Sequence, residues 1–274
     1  MKAAQLFDVS GLATIVTGAA SGIGLAYAEV MADNGARVTL MDIDAAALDA
    51  AVRRLAERGG EVRGQVVDVT DRPGLRASID SASEHYGKLD VTFANVGIDS
   101  PPGFISMAGE RDAAGAFENV SDQRWDLVMA TNLTSIYSTI KASVPHMKKN
   151  GSKGGRIIVT TSVAGIRPEA IVGMPYMPAK AGAAHLVRQA ALELAKYNIL
   201  VNAIAPGPFL TNIAGGHMND PIAVAAFARF TPFHRLASTD EIQGLALFLA
   251  SPAATYVTGS QIVIDGGVLL GLAD

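Results

Sequence analysis

A tyrosine and a lysine four residues apart, Tyr176 and Lys180, have the side chains that a proton relay needs in a carbonyl/alcohol redox reaction. If residues 175–197 form a helix, the two side chains lie on one face, one turn apart. A phenol with a reference pKa of about 10 is a poor base at neutral pH, so it needs a cation beside it. We interpret Tyr176 as the acid–base group and Lys180 as the cation that holds it partly as phenolate.

Two further polar side chains precede this pair. Ser162 follows the apolar run 156–161, and Asn132 lies thirty residues further upstream. The Ser162 hydroxyl is expected at the C-terminal end of a buried strand, where open α/β sheets bind their ligands. A Tyr-x-x-x-Lys pair alone is common and usually marks a surface helix. The catalytic interpretation therefore depends on the rest of the chain.

A glycine-rich segment near the N-terminus supplies that context. Residues 18–24 lie between a short β-branched run and an apolar-periodic helix, which is typical of a strand–loop–helix unit. Glycines there let backbone N–H groups approach a pyrophosphate, and the helix N-terminus adds a favourable dipole. An ordinary tight turn is the alternative. The residues expected at the pyrophosphate are Gly18, Ser21, Gly22, Ile23 and Gly24.

An acidic residue, Asp42, ends the second predicted strand. At this position a carboxylate accepts hydrogen bonds from the ribose hydroxyls of an adenosine and repels a 2′-phosphate. Neither the glycine loop nor the residues directly after Asp42 contain Arg or Lys, so the sequence favours NAD over NADP. The alternatives for Asp42 are a solvated loop carboxylate and a cap for the following helix.

These segments together resemble the short-chain dehydrogenase/reductase family over nearly the whole chain. The cofactor loop of that family, Thr-Gly-x-x-x-Gly-x-Gly, matches residues 17–24, and its Asn-Asn-Ala-Gly segment matches 94–97. The resemblance implies an active-site quartet of Asn132, Ser162, Tyr176 and Lys180. It also implies cofactor contacts at Asp68, Val69, Asn95, Gly97, Tyr176, Lys180, Pro206, Gly207 and Thr211. Two features depart from the family: Val96 replaces the usual Ala, and the segment 98–120 is longer.

Strand and helix patterns alternate regularly along the chain. Strands are predicted near 13–17, 37–41, 62–67, 89–94, 155–161, 199–204 and 261–264, and helices near 22–33, 45–58, 72–86, 121–149, 175–197 and 239–250. This alternation predicts an α/β fold, a doubly wound, mostly parallel sheet of Rossmann type with helices on both faces. For 274 residues we expect a single domain.

Two irregular regions, 98–120 and 208–236, follow predicted strand ends. Loops in this position normally shape the substrate pocket. The apolar part of the second region has an alternative role in the core or in a subunit contact. His217 in this region is a candidate substrate contact, and Arg167 is either an anion contact or a solvated loop residue.

Composition excludes several classes of function. The net charge of −4 without a basic stripe argues against nucleic acid. The chain has no cysteine, and its histidines and carboxylates lack metal-ligand spacing, so no metal is expected. No secretory signal or run of eighteen apolar residues is visible, and we expect a cytoplasmic protein without a membrane span.

The predicted reaction is reversible hydride transfer between NAD and a secondary alcohol or ketone. Ser162 orients the oxygen, and Tyr176, held partly as phenolate by Lys180 and the positive nicotinamide, exchanges its proton. Lys180 also holds the nicotinamide ribose, and Asn132 binds a water that links Lys180 to solvent. The alternatives are a non-catalytic dinucleotide-binding sensor, an NADP-dependent carbonyl reductase, and a nucleotide-sugar epimerase or dehydratase. That last class needs an added substrate domain, and few residues follow the last strand.

Assembly is the remaining expectation. The family resemblance implies a homotetramer in which the helices containing Asn132 and Tyr176 pair with their symmetry mates. The helix after Lys180 has more small and apolar residues than one buried stripe requires. The apolar end of the chain, 268–274, is also consistent with a subunit contact.

Overall fold

Seven parallel strands form one sheet in the computed structural model, which describes residues 2–106, 108–211 and 221–271. The strands are β1 (Ala13–Thr17), β2 (Arg37–Asp42), β3 (Glu61–Val66), β4 (Val91–Ala94), β5 (Gly155–Thr160), β6 (Ile199–Pro206) and β7 (Gln261–Ile264). Their spatial order is β3-β2-β1-β4-β5-β6-β7, and every pairing is parallel. The predicted Rossmann-type α/β fold is confirmed.

Helices connect these strands and cover the sheet. In the described residues they are α1 (Ala3–Leu6), α2 (Gly22–Asp33), α3 (Ala45–Glu57), α4 (Arg72–Tyr86), α5 (Asp122–Met129), α6 (Ser135–Lys148), α7 (Tyr176–Leu194), α8 (Pro221–Ala228) and α9 (Gln243–Ala250). The predicted helix 121–149 is helical from Asp122 to Lys148, but it is not a regular α-helix throughout. A π-helical turn, Ala130–Thr134, separates α5 from α6.

Strand side chains alternate between two apolar cores because successive residues of a strand point to opposite faces. Val16 and Ile158 belong to the core under α2, α3 and α9. Ile15 and Ile157 belong to the core under α4, α6 and α7. The central strands are buried on both faces, which explains why they appear in the sequence as continuous apolar runs.

The strand order reverses between β1 and β4. The chain moves from β1 outward to β3 and then returns to the other side of β1 at β4. At such a switch point the loops after the two strands diverge and leave a crevice at the carboxyl edge, where open α/β sheets bind ligands. The glycine loop follows β1, and Asn95 follows β4. The fold therefore brings the segments predicted to bind cofactor to one edge.

Part of the second predicted substrate region, residues 212–220, lies outside the described residues, and so does His217. Residues 221–228 of the same region form α8. Within the described residues, no helix combines the length and the apolar character needed to cross a lipid bilayer.

Candidate active site

A cavity of about 870 Å³ opens at the carboxyl edge of the sheet, over the crevice between β1 and β4. All the residues predicted to bind cofactor line it, together with Ser162, Tyr176 and Lys180. Asn132, predicted as a member of the catalytic quartet, is absent from the lining. Segments that are far apart in the sequence, from Gly18 to Thr211, thus form one concave surface.

The glycine loop has a backbone that requires glycine. Gly18 and Gly22 have φ angles of 67° and 55°, in the left-handed region that glycine adopts without steric cost. A Cβ atom on Gly24, at the start of α2, would overlap the carbonyl oxygen of Gly18 and the side chain of Asn95. These glycines let the loop fold closely onto the end of β4, with the N-terminus of α2 at the cavity.

Asn95 joins three strand ends through its hydrogen bonds. Its backbone N–H donates to Thr17 Oγ1 at 3.0 Å, and its side-chain amide donates to the Thr17 carbonyl oxygen at 3.2 Å. Its Oδ1 accepts a hydrogen bond from Thr160 Oγ1 at 2.9 Å. The side chain therefore ties together the ends of β1, β4 and β5. Asn95 thus stabilises the strand ends that line the cavity next to the glycine loop.

Asp42 and Asp68 lie at the other end of the cavity. Asp42 accepts hydrogen bonds from the backbone N–H of Ala20 at 2.9 Å and of Asp44 at 3.1 Å. Asp68 accepts from the N–H and the hydroxyl of Thr70 at 2.8 and 2.7 Å. Asp44, and not Asp42, caps helix α3, which removes the alternative that Asp42 serves as a helix cap.

Tyr176 is the first residue of α7, so Pro178 lies in the first turn, where a missing N–H costs no hydrogen bond. Burial raises the pKa of Tyr176 to about 12, and the Ser162 hydroxyl opposes this rise. Burial thus favours the neutral phenol. The prediction that Lys180 and the positive nicotinamide together hold Tyr176 partly as phenolate concerns the cofactor complex and stays a prediction.

Lys180 lies beneath Tyr176 and is only 2 % exposed. Its Nζ donates to the carbonyl oxygen of Thr160 at 3.0 Å and lies 5.6 Å from the centre of the Tyr176 ring. Burial lowers the pKa of Lys180 to about 8, because the ammonium loses its hydration. At pH 7 the lysine is therefore still mostly protonated, with its titration about one pH unit above neutrality.

Asn132 lies in the π-helical turn and is fully buried. Its Oδ1 accepts from the N–H of Ile98 at 3.1 Å, and its Nδ2 donates to the carbonyl oxygens of Ile98 at 3.0 Å and Val128 at 3.2 Å. A Cβ atom on Gly97 would lie 2.7 Å from Asn132 Oδ1 and 3.0 Å from Lys180 Nζ. The amide thus clamps the segment after β4 against Lys180, and the expected water-binding role has no support from its side-chain contacts.

Ser162 stands just beyond the end of β5, as predicted. Its Oγ accepts a hydrogen bond from the backbone N–H of Ala164 at 3.1 Å and so caps a short 3₁₀ turn. This bond uses one acceptor position and leaves the hydroxyl proton for a substrate oxygen or for Tyr176.

The long segment after β4 packs against the loop that leads to Tyr176. Arg124 of α5 donates to Ser100 Oγ at 2.9 Å and to the Pro102 carbonyl oxygen at 3.0 Å. A Cβ atom on Gly173 would overlap the carbonyl oxygen of Ser100. Ile98, Asp99 and Pro101 of the segment predicted to shape the substrate pocket line the cavity. The helical turns that follow add two cavity residues that were not predicted, Leu127 and Thr131. Leu127 and Thr131 are spaced i, i+4 before Asn132, a pattern from which their common face was predictable.

Arg167 has a different role from the two expected for it. Its guanidinium contacts Glu169 Oε1 at 3.0 Å and donates to the Val268 carbonyl oxygen at 2.9 Å. It does not line the cavity. Arg167 therefore ties the loop after β5 to the C-terminal segment, and this geometry does not support an anion contact in the pocket.

Residues 18–269 match the family profile described as "Enoyl-(Acyl carrier protein) reductase". The chain is 37% identical to cis-4-hydroxycyclohexanecarboxylate dehydrogenase of Sinomonas cyclohexanicum, over 92% of this chain and 94% of that protein. Two solved structures are also similar. One, a short-chain type dehydrogenase/reductase from Mycobacterium marinum, has a TM-score of 0.85 and 32% identity over 96% of this chain and 98% of that chain. The other, the Pseudomonas aeruginosa RhlG/NADP active-site complex, has a TM-score of 0.86 and 32% identity over the same shares.

Proposed function

Because the chain belongs to the short-chain dehydrogenase/reductase family, we propose that it transfers a hydride between NAD(H) and a secondary alcohol or ketone. The observation that carries this proposal is the placement of Ser162, Tyr176 and Lys180 in the same cavity as the glycine loop. Tyr176 is the proposed general acid–base, and Ser162 and Lys180 support it.

The cavity residues fit a nicotinamide dinucleotide. Gly24 and Gly97 line the cavity, and both stand where a Cβ atom would collide with neighbouring protein, so the backbone there packs closely on the rest of the site. In the proposed complex the pyrophosphate lies at residues 18–24, the adenosine near Asp42 and Asp68, and the nicotinamide ribose at Tyr176 and Lys180. The bound cofactor supplies the hydride acceptor or donor.

The chain's own groups handle the proton. Ser162 donates to the substrate oxygen and holds it beside the phenol. In the direction of ketone reduction, neutral Tyr176 donates its proton to that oxygen. In the direction of alcohol oxidation, Tyr176 takes up the alcohol proton, so its pKa must fall from about 12. The positive charge of an oxidised nicotinamide ring would lower it, in addition to Lys180, which already lies beside the phenol.

The decisive experiment is to measure NADH formation across a panel of secondary alcohols. Turnover of any member supports the enzyme over the alternative, a dinucleotide-binding sensor on the same fold. A sensor would bind NADH, detected by fluorescence, and would oxidise none of the alcohols.

We predict a preference for NAD over NADP of about tenfold or more in kcat/KM, because the Asp42 carboxylate repels a 2′-phosphate. Asp42→Ala should narrow this gap, mainly by improving the use of NADP. The matched control is Asp49→Ala, which removes an exposed carboxylate of α3 paired with Arg53. Equal kcat/KM for the two cofactors in the unmutated enzyme would favour the alternative of an NADP-dependent reductase, as the solved NADP complex of a relative makes conceivable.

We propose a homotetramer built through α5, α6 and α7. Large apolar side chains on α6 and α7 face outward, including Tyr137 and Leu192, the latter 78% exposed. Leu270 near the chain end is also exposed. Covering such side chains is the usual reason for a subunit contact. Light scattering at micromolar concentration should give the mass of four chains, and the mass of one chain would refute this assembly.

The remaining expectations are also proposals. We propose one domain for the chain, with residues 98–120 and 208–236 shaping its substrate end. The packing of Ser100 on Gly173 supports this for the first region. We further propose a cytoplasmic enzyme without nucleic acid or membrane partners, on the basis of its net charge of −4 and lack of cysteine.

A further inference from the structure

Tyr27 of α2 is a phenol buried inside an apolar core. Its side chain has no solvent exposure, and its ring stacks on Phe93 of β4 with the ring centres 4.7 Å apart. Phenylalanine would make the same ring contact, and the other buried members of this core are apolar. A buried hydroxyl without a partner destabilises a fold, so the Tyr27 hydroxyl is expected to make a specific contact.

The partner of this hydroxyl is Thr160, the last residue of β5. The two hydroxyl oxygens lie 3.3 Å apart, and Thr160 Oγ1 also lies 2.9 Å from Asn95 Oδ1. Thr160 therefore stands between helix α2 and the amide that ties the strand ends together.

The donors and acceptors in this set of contacts fit together in one direction. The Asn95 amide nitrogen faces the carbonyl oxygens of Thr17 and Gly18 at 3.2 and 3.4 Å, and a carbonyl oxygen can only accept. Asn95 Oδ1 therefore faces Thr160 and accepts its single hydroxyl proton. Thr160 Oγ1 then offers only a lone pair to Tyr27, so the phenol donates. Burial raises the pKa of Tyr27, which keeps that proton in place at neutral pH.

Two further contacts connect this set of hydrogen bonds to the cavity. The backbone carbonyl oxygen of Thr160 accepts the hydrogen bond from Lys180 Nζ at 3.0 Å. Gly24 lies three residues before Tyr27, on the same face of α2. A Cβ atom on Gly24 would overlap the backbone of the glycine loop and the side chain of Asn95. This face of α2 therefore packs on the strand ends next to the glycine loop.

We propose that Tyr27 is a positioning residue for the cofactor, which acts through Thr160 to hold Asn95 in the orientation that supports the glycine loop. The Tyr27 side chain does not line the cavity, so it contacts neither cofactor nor substrate. A loop that is already fixed loses less freedom when a pyrophosphate binds, and this gain appears as affinity. The inference rests on the proposed function for the identity of the cofactor.

The first test is Tyr27→Phe, which removes the hydroxyl and keeps the ring on Phe93. We expect the Kd for NADH, measured by fluorescence titration, to rise about threefold or more, as for the loss of one neutral hydrogen bond. The value of kcat at saturating NAD and alcohol should stay within about twofold of that of the unmutated enzyme. A defect of folding alone would instead lower the active fraction, and with it the apparent kcat, at an unchanged Kd.

The matched control is Tyr86→Phe. Tyr86 is a half-buried phenol of α4 that lies beside Thr39 of β2 and does not line the cavity. This substitution removes a hydroxyl of the same chemistry elsewhere in the fold, so the Kd for NADH should not change.

A double-mutant cycle tests whether Tyr27 acts through Thr160. Thr160→Val removes the hydroxyl and keeps the branched shape and the carbonyl oxygen that Lys180 contacts. It should raise the Kd for NADH more than Tyr27→Phe does, because Asn95 Oδ1 loses its donor. Adding Tyr27→Phe to Thr160→Val should then change the Kd no further, since the intermediary is already gone. Thr160→Ser keeps the hydroxyl and should bind NADH as the unmutated protein does.

An unchanged Kd in Tyr27→Phe would overturn the role of Tyr27 and leave the proposed function intact. An equal effect of Tyr27→Phe with and without the Thr160 hydroxyl would do the same. If Thr160→Val does not fold, the comparison of Tyr27→Phe with Tyr86→Phe decides by itself. Absence of NADH binding by the unmutated protein would overturn both the role of Tyr27 and the proposed function.

Discussion

Replacing Tyr176 with phenylalanine is expected to lower kcat by a factor on the order of 10² or more, as for the loss of a general acid–base. The substitution removes the titrating hydroxyl nearest Ser162 and keeps the ring that packs over Lys180. NADH affinity, measured by fluorescence titration, should stay close to that of the unmutated enzyme. The kinetic measurement is kcat at saturating alcohol and NAD.

The control for this variant is Tyr256→Phe. Tyr256 is fully exposed and does not line the cavity, so kcat should not change. Near-normal turnover in Tyr176→Phe would show that the acid–base group lies elsewhere, and loss of NADH binding would show that the substitution disturbed the cofactor site instead.

Lys180→Met should lower kcat by about as much as Tyr176→Phe does. The same substitution should make the protein without cofactor more stable. The pKa of Lys180 falls from 10.5 to about 8 on folding, which corresponds to a cost of about 3 kcal/mol at neutral pH. Methionine avoids this cost and loses the hydrogen bond to Thr160, worth about 1 kcal/mol. The free energy of unfolding should therefore rise by about 2 kcal/mol at pH 7.

The stability difference between Lys180→Met and the unmutated protein should depend on pH. Below pH 8 both the folded and the unfolded lysine are protonated, and the cost of burial is fully present. Between pH 8 and 10.5 the unfolded chain holds more protons than the folded one, so the stability of the unmutated protein rises. The difference in free energy of unfolding between Lys180→Met and the unmutated protein should therefore decrease from pH 8 to pH 10.5, as measured by denaturant unfolding.

Lys153→Met serves as the comparison, since Lys153 is exposed in the turn before β5. It should leave both the kcat and the pH profile of stability unchanged. If the Lys180→Met protein is less stable than the unmutated one at pH 7, the free-energy cost given for burying the Lys180 ammonium is wrong.

The sequence was sufficient to predict the order of the elements and most of the cavity. The apolar runs that became β1 and β5 are buried on both faces, so their periodicity and length carried a strong signal. The glycine loop could also be predicted from the sequence, because Gly18 and Gly22 adopt positive φ angles that favour glycine at these positions.

The features of the site that could not be predicted depend on contacts between residues that are far apart in the sequence. The clamp between Asn132 and Ile98 joins residues 34 positions apart, and no local pattern signals it. The direction of the pKa shift of Tyr176 depends on how much protein surrounds the phenol, which spacing to Lys180 does not reveal.

The π-helical turn at Ala130–Thr134 makes the site sensitive to the length of the chain as well as to its composition. Such a turn accommodates one residue more than an α-helix, and each residue of an α-helix corresponds to a rotation of about 100°. Helix α6 is anchored against β4 by the hydrogen bond from Thr92 to Ser143, so a one-residue deletion would rotate the part before it. The shortened helix would regain regular backbone bonding, yet Asn132 would turn away from Ile98. A one-residue deletion in this stretch should therefore be tolerated less well than a substitution, because it improves the helix and removes the support beneath the reacting atoms.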